Sequence, residues 1–468
     1  MGEPAVIQTF RAAWVLPISA PPIQNGEVII EDGRIIAVRP VHSPPDSDCR
    51  DLGDAIILPG LVNVHTHLDY TVMRGLLEDI EFFPWIRELT ARKAALDWDD
   101  WMASAHFGAA EALSSGITTI GDCTDSGAAL HGANALGLGG IVYQEVFGID
   151  ESQSVPSIIA TLAAKIELLR DSTEGSRLEV GISPHAPYTV RRELFAALRD
   201  YAKSDNLPVC IHAAESRAEA ELMHAHTGAI AEMFTRRGIT WETPHVSTVA
   251  YLDSLGMLSP RTLLVHGVQV SASDRHVIAE KGVAWAHCPK SNAKLGNGVA
   301  PLGILGRKFP EGTHHDDYGV NVPRIGLGSD SVASNNTLDL FEEMRFAVLM
   351  QRGAHHRIMA LTAREAVEMA TLGGAKSLGL DAEIGTLEAG KRADLCAVRL
   401  NGLHSAPAYY PYNALVYAAR ASDVCLTVIG GETLYDTAHS QPFLHFDIRE
   451  CRENLHLAAA KMRNWTSN

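Results

Sequence analysis

The chain has 468 residues, 46% hydrophobic and 20% charged, with a formal net charge of −17. That is enough apolar chain for a large core and a smaller second unit, while the acidic balance excludes binding to a nucleic-acid backbone, which needs clustered Lys and Arg. Seven scattered cysteines without a Cys-x-x-Cys pair indicate a reduced, cytoplasmic protein, and no apolar run approaches transmembrane length.

Residues 1–58 read as short strands and turns, with a hairpin at Glu31–Arg34, where Glu-Asp-Gly-Arg separates two apolar runs. The opening decapeptide lacks the basic-then-apolar order of a signal peptide. Leu58–Asp69, LPGLVNVHTHLD, carries His65 and His67 at i and i+2, which places both imidazoles on one face of a strand. Two histidines at a strand end can serve as packing partners; two converging nitrogens are also half of a metal site. The following loop, Tyr70–Trp98, holds Leu76, Leu77, Phe82, Phe83 and Trp85. It can close apolar surface over a flat ring, or form a helix near Pro84–Leu96 that packs Trp85 on the core.

From there, eight apolar runs alternate with helical patterns: LVNVHTH, GITTIGDC, GIVYQEVF, LEVGISPHAP, PVCIHAAE, TLLVHGV, VAWAHCP and RIGLGSDS. Helices are expected at Asp99–Ser114, Arg191–Lys203, Ser216–Arg237 and Thr337–Arg352, with a capping box at Thr362–Glu365 opening another. Eight strand–helix units imply an α/β fold, a (β/α)8 TIM-like barrel with its site at the C-terminal ends of the strands. β-rich texture returns after Gly385, so the two flanks are expected to form one small β-sandwich. The expected division is 1–58 and 383–445 for that sandwich, 59–382 for the barrel and 446–468 for a helical tail.

In such a barrel, His65 and His67 end the first strand, His212 the fifth and Asp330 the eighth. Three imidazoles and a carboxylate suit one divalent ion, zinc or iron, with water at an open position and its pKa lowered toward about 7. Glu215, three residues after His212, is placed to shuttle protons. His266, ending the sixth strand, is placed to orient the water or stabilise developing negative charge.

The motifs HTHLD, SPHAPYT, HAAES, VHGV, AHCPKSNAKLGNGVAP and GLGSDSVASNN, in this order, resemble the metal-dependent amidohydrolase superfamily. The resemblance is closest to its cytosine-deaminase-like, adenosylhomocysteine deaminase and triazine chlorohydrolase branch, and covers nearly the whole chain. It implies His65, His67, His212 and Asp330 around one metal, and Glu215, His266 and Asp330 as catalytic groups. His185 stands where binuclear relatives carry a bridging lysine, so a single ion is expected and His185 is assigned to substrate binding. Trp85, Asn292 and Ser331 are further substrate-binding candidates, together with Glu215.

The implied reaction is hydrolytic deamination of an amino-substituted nitrogen heterocycle. An adenosine derivative of the adenosylhomocysteine, methylthioadenosine or aminodeoxyfutalosine type leads; a free aminopurine or pterin, or a chlorotriazine, is the alternative. A non-catalytic binding scaffold would lack a ligand or Glu215, and none is missing. The resemblance leaves a homodimer open. Two other runs are set aside. Thr313–Asp317 (THHDD), in an insertion at about Gly306–Arg324, precedes the eighth strand on the face opposite the site. Gly385–Lys391 spells most of a phosphate-binding loop, but Arg392 stands where Ser or Thr is needed.

Overall fold

A computed structural model describes residues 7–41, 49–302 and 324–465. The run Thr313–Asp317 lies outside the described residues.

Eight parallel strands follow one another in chain order, each hydrogen-bonded to the next: Leu61–Thr66, Ile117–Thr124, Gly139–Val146, Leu178–Pro184, Val209–Ala213, Thr262–His266, Ala284–His287 and Ile325–Leu327. They are the eight runs expected. The eighth meets the first through a bridge between Thr66 and Asp330, where Asp330 N–H donates to the His65 carbonyl at 2.9 Å. The ring therefore closes at the catalytic end.

Side-chain alternation sorts the strands into two cores. Tyr143, Cys210, Leu263, Val265, Ala284 and Ala286 fill the interior, while Val142, Ile211, Leu264 and Trp285 face the helices. Burial on both faces explains why the runs read as nearly continuous apolar sequence. A large ring inside so narrow a space needs a missing side chain opposite. A Cβ on Gly181 would lie 2.6 Å from the Tyr143 ring.

The flanks form a second, mixed sheet of eight strands. The strand Ala55–Pro59 pairs antiparallel with Leu395–Arg399 from the other end of the chain. Only Gly60 separates it from the first barrel strand, so this sheet fixes where the His-x-His segment begins. The sheet doubles over on one core, with Val15, Val28 and Ile35 packed alongside Leu395 and Val428. Its two end hairpins approach at their turns, where a Cβ on Gly33 would lie 2.5 Å from the Gly430 carbonyl oxygen. The hairpin expected at Glu31–Arg34 is present, with Asp32 and Gly33 at φ 48° and 78°, values that suit Gly and Asp.

One expected helix differs. Ser216–Arg237 is two helices, Arg217–Ala225 and Gly228–Arg237. His226 adopts a left-handed φ of 53° and Gly228 one of 83°, which terminates the first helix despite continuous amphipathic patterning. The chain ends in a helix, Ile448–Arg463, laid on Trp98–Ser114. Its Ala458 and Met462 join Met73, Trp85 and Leu89 in one apolar cluster under the loop after the first barrel strand. Among the described residues no cysteine forms a disulfide. Among the described residues, no helix is long and apolar enough to cross a membrane.

Candidate active site and metal centre

Val62 and Val64 belong to the interior cluster, so simple alternation would turn His65 and His67 outward. The first strand gains one residue on the second between Asn63 and Thr66, and this bulge reverses the alternation. Both histidines then face the barrel axis. Their ring centroids are 4.9 Å apart, and His65 and His212 are also 4.9 Å apart. Asp330 Oδ1 lies 3.4 Å from His65 Nε2 and 3.6 Å from His67 Nε2. These four side chains, scattered along the sequence, belong to one buried cluster, with Asp330 against His65 and His67 and with His212 against His65.

The donor set fits a divalent ion. His212 Nδ1–H donates to the His185 carbonyl at 3.0 Å, which leaves the Nε2 lone pair facing the cluster. His65 Nε2 is buried and makes no hydrogen bond among the described residues. Burial holds His67 neutral, its pKa pushed down to about 3 with the His65 charge adding to the effect, and holds His212 well below the ordinary range. His65 goes the other way, to about 10: burial favours the neutral ring but the facing Asp330 carboxylate outweighs it. A carboxylate this close to two imidazoles demands a cation, whether proton or metal. The Asp330 carboxylate is held by Ser291 and Ser334 hydroxyls at 2.5 and 2.9 Å and by Ser331 N–H at 2.6 Å.

Glu215 and His266 stand beside this cluster, with Oε1 3.9 Å from Nε2. Burial pushes the Glu215 carboxyl above its ordinary range, the direction a proton donor needs near neutrality. His266 Nδ1–H donates to Asn292 Oδ1 at 2.9 Å, presenting Nε2 toward Glu215. Val265 faces inward, and a left-handed φ of 70° at His266 breaks the alternation, so consecutive residues both serve the interior. Gly267 follows at φ 59°, where a Cβ would lie 2.5 Å from the Trp285 indole, itself donating Nε1–H to the His266 carbonyl at 3.1 Å. Gly267→Ala is therefore expected to cost about 2–3 kcal/mol in backbone strain and overpacking. Thermal unfolding and kcat measured together check this, since His266 must shift with the indole.

A cavity of about 400 Å³ opens over the cluster, lined by His67, His185, His212, Glu215, His266 and Asp330, with Phe82, Trp85 and Leu89 above them. The loop segment expected either to cover a ring or to pack as a helix packs as a helix whose apolar side borders the cavity. It forms the helix Phe82–Arg92, and Trp85 is 7% exposed while bordering the cavity. His185 lines the wall, its Nδ1 bonded to Thr189 Oγ1 at 2.9 Å; burial pushes its pKa down to about 3, reinforced by the Lys93 charge. Ser331 lines the cavity too, its hydroxyl accepting from Ala333 N–H at a helix start. Asn292 does not border the cavity; it stands behind His266 as its hydrogen-bond partner.

Several residues of the site escape sequence reasoning. Asn297 Nδ2 donates to Glu215 Oε1 at 3.1 Å, and lies within the quoted AHCPKSNAKLGNGVAP motif, which was its one signal. Glu219 accepts from the Ala214 and Glu215 amides at 2.8 and 2.9 Å, fixing the turn that carries Glu215. Lys93, bonded to Tyr70 and Asp125 at 2.7 and 2.9 Å, reaches the cavity from just beyond the loop helix.

Comparison with known proteins finds relatives along nearly the whole chain. A 5-methylthioadenosine/S-adenosylhomocysteine deaminase of Moorella thermoacetica is 34% identical over 429 residues, covering 90% of this chain and 92% of that one. A 5'-deoxyadenosine deaminase of Methanothermobacter thermautotrophicus is 33% identical over 419 residues, covering 88% and 90%. The crystal structure of an adenosine deaminase from Xanthomonas campestris with bound zinc superposes with a TM-score of 0.82 at 26% identity, covering 98% of this chain and 99% of that one. The model of the amidohydrolase family matches residues 56–434. With the motifs, the barrel and these relatives in agreement, the chain belongs to the amidohydrolase family.

Proposed function

We propose that the protein is a metal-dependent aminohydrolase that releases ammonia from the amino-substituted ring of an adenosine derivative. The observation that carries this reading is the buried cluster in which Asp330 faces His65 and His67 and His212 packs against His65, beside the Glu215–His266 pair and under an aromatic-lined cavity. Those four residues would hold one divalent ion, zinc as the first candidate and iron as the alternative. Such an ion supplies Lewis acidity, which makes hydroxide available near neutral pH.

The chain's own residues do the rest. Glu215, its carboxyl biased by burial toward the protonated form, donates to a ring nitrogen and so makes the neighbouring amino-bearing carbon electrophilic. His266, its Nδ1–H held by Asn292, presents the Nε2 lone pair as a hydrogen-bond acceptor and so orients the attacking water. Asp330 accepts a proton from the attacking water, and return of a proton to the exocyclic nitrogen expels ammonia. His185 and Trp85 hold the flat ring in place, and Phe82 and Leu89 exclude bulk water.

Adenosine-type substrates are favoured by the names of the two relatives above. Metal-replete protein is expected to release ammonia from methylthioadenosine, adenosylhomocysteine or 5'-deoxyadenosine faster than from free aminopurines or pterins. Chloride release from a chlorotriazine, with no ammonia from any of the others, would place the protein among dehalogenating hydrolases instead.

A further inference from the structure

Behind His65 lies a group of ligand atoms that the steps above do not use. Cys123 on the second barrel strand and Cys210 on the fifth are both fully buried, and their sulfurs are 3.5 Å apart in the barrel interior. Cys123 Sγ also lies 3.8 Å from His65 Nδ1, the ring nitrogen that does not face Asp330. The three ligand atoms all fall within 4.8 Å of one another. A buried thiol usually acts as a small apolar group, and Cys288 fills the same interior in that way. Two thiols from strands that are not neighbours, meeting beside one imidazole nitrogen, are also a donor set.

A metal-binding histidine normally donates its second ring N–H to a carboxylate, a backbone carbonyl or water. Among the described residues, His65 Nδ1 has a sulfur in that place. The spacing fits a shared cation. Sulfur at about 2.3 Å and nitrogen at about 2.0 Å from one ion lie about 3.6–3.8 Å apart at tetrahedral angles, close to the 3.5 and 3.8 Å found here. Thiolates select soft ions such as zinc and copper(I) over magnesium, calcium and manganese. The other clusters able to hold a cation, His67–Glu145–His212 among them, draw on the nitrogens and carboxylates of the first centre; among the described residues this one alone contains sulfur.

We propose that Cys123, Cys210 and His65 Nδ1 form a second cation site, selective for a thiophilic ion, behind the first metal centre. Cys210 precedes His212 by two residues on the same face of its strand, so the site lies one layer deeper in the barrel. As the ion binds, both thiols and the Nδ1–H give up their protons to solvent, and two bonds to sulfur and one to nitrogen form. The His65 ring then joins two cations, with Nε2 toward the first. None of the three residues borders the cavity, so this ion does not compete with a substrate. The site does not depend on which reaction the first centre performs.

The test titrates cadmium ion into protein carrying one equivalent of zinc, for wild type, Cys123→Ala, the double variant Cys123→Ser with Cys210→Ser, and Cys49→Ser. The last removes the most exposed thiol and controls for adventitious binding. Metal per chain is counted while the sulfur-to-cadmium charge-transfer band is followed in the ultraviolet. Wild type and Cys49→Ser are expected to reach two ions per chain with the band present. Cys123→Ala and the double variant should keep the first ion and bind the second about 10²-fold more weakly or worse, at or beyond the upper cost of an outer-shell change. A wild type that stops at one ion per chain, a band undiminished in the double variant, or a band lost in Cys49→Ser would each overturn the site. Ammonia release gives a separate readout. The second equivalent should lower kcat about 10-fold or more with KM unchanged, as a disturbed ligand partner does, and a dithiol chelator should reverse it. Competition with substrate would move the ion into the cavity and overturn the proposal. If no compound yields ammonia, the aminohydrolase reading alone falls, because the ion count and the band are read without turnover.

Discussion

Glu215→Gln is expected to keep its metal and its cavity and to lose about 10³-fold or more in kcat, the upper range for removing a positioned proton-transfer group. The substitution is close to isosteric. Oε1 would still accept from Asn297 Nδ2, and the turn that carries residue 215 is held by Glu219 through backbone amides the change does not touch. What disappears is the transferable proton. An amide can donate a hydrogen bond to a ring nitrogen, but it cannot deliver a proton and take one back within a turnover. KM should therefore move little while kcat collapses, which separates a proton shuttle from a group that only binds substrate. Removing a buried carboxyl also removes its desolvation cost, so the variant should be no less stable than the parent. Single-turnover and steady-state ammonia release, with metal analysis on the same samples, decide the matter. Wild-type turnover in this variant would refute the role.

Removal of the metal is expected to abolish ammonia release and to lower thermal stability together. The second effect follows from the first geometry. Buried His65 Nε2 has no hydrogen-bond partner among the described residues, and Asp330 faces two imidazoles at 3.4 and 3.6 Å. A cation held only by the folded chain stabilises it by about 4 kcal/mol when present at about a thousand times its dissociation constant. Chelation should therefore depress the melting temperature, and adding back zinc or iron(II) in turn should restore both activity and stability, the better of the two identifying the working metal. His212→Ala removes one nitrogen and should bring metal content well below one ion per chain. The stability difference between metal-loaded and chelated protein should shrink accordingly. Full activity in protein shown to be metal-free would end this account of the site.

Much of the architecture was legible along the chain because barrel strands bury both faces. Each run between turn signals is short and apolar, and each ends in a polar residue at the catalytic rim, so the eight strands, His212, Glu215, His266 and Asp330 could be picked out one after another. The two-sided hairpin at Asp32–Gly33 was legible for a different reason: left-handed backbone at two successive positions selects those residue types. The break at His226–Gly228 was not, since amphipathic patterning continues across it and a left-handed His carries no signal of its own.

The amino-acid sequence by itself determined the periodicities, the order of the strands and the chemical types available at their ends, because these depend on residues near one another in the chain. Only the tertiary structure decided which of those groups face each other. The bulge between Asn63 and Thr66 and the left-handed His266 both override strand alternation, and each exists because the neighbouring strand supplies the pairing that makes the irregular backbone affordable. The move of Asn292 from the cavity wall to a support for His266 is likewise a fact of three-dimensional closure. Its partner sits far away along the chain, where no local pattern registers the distance.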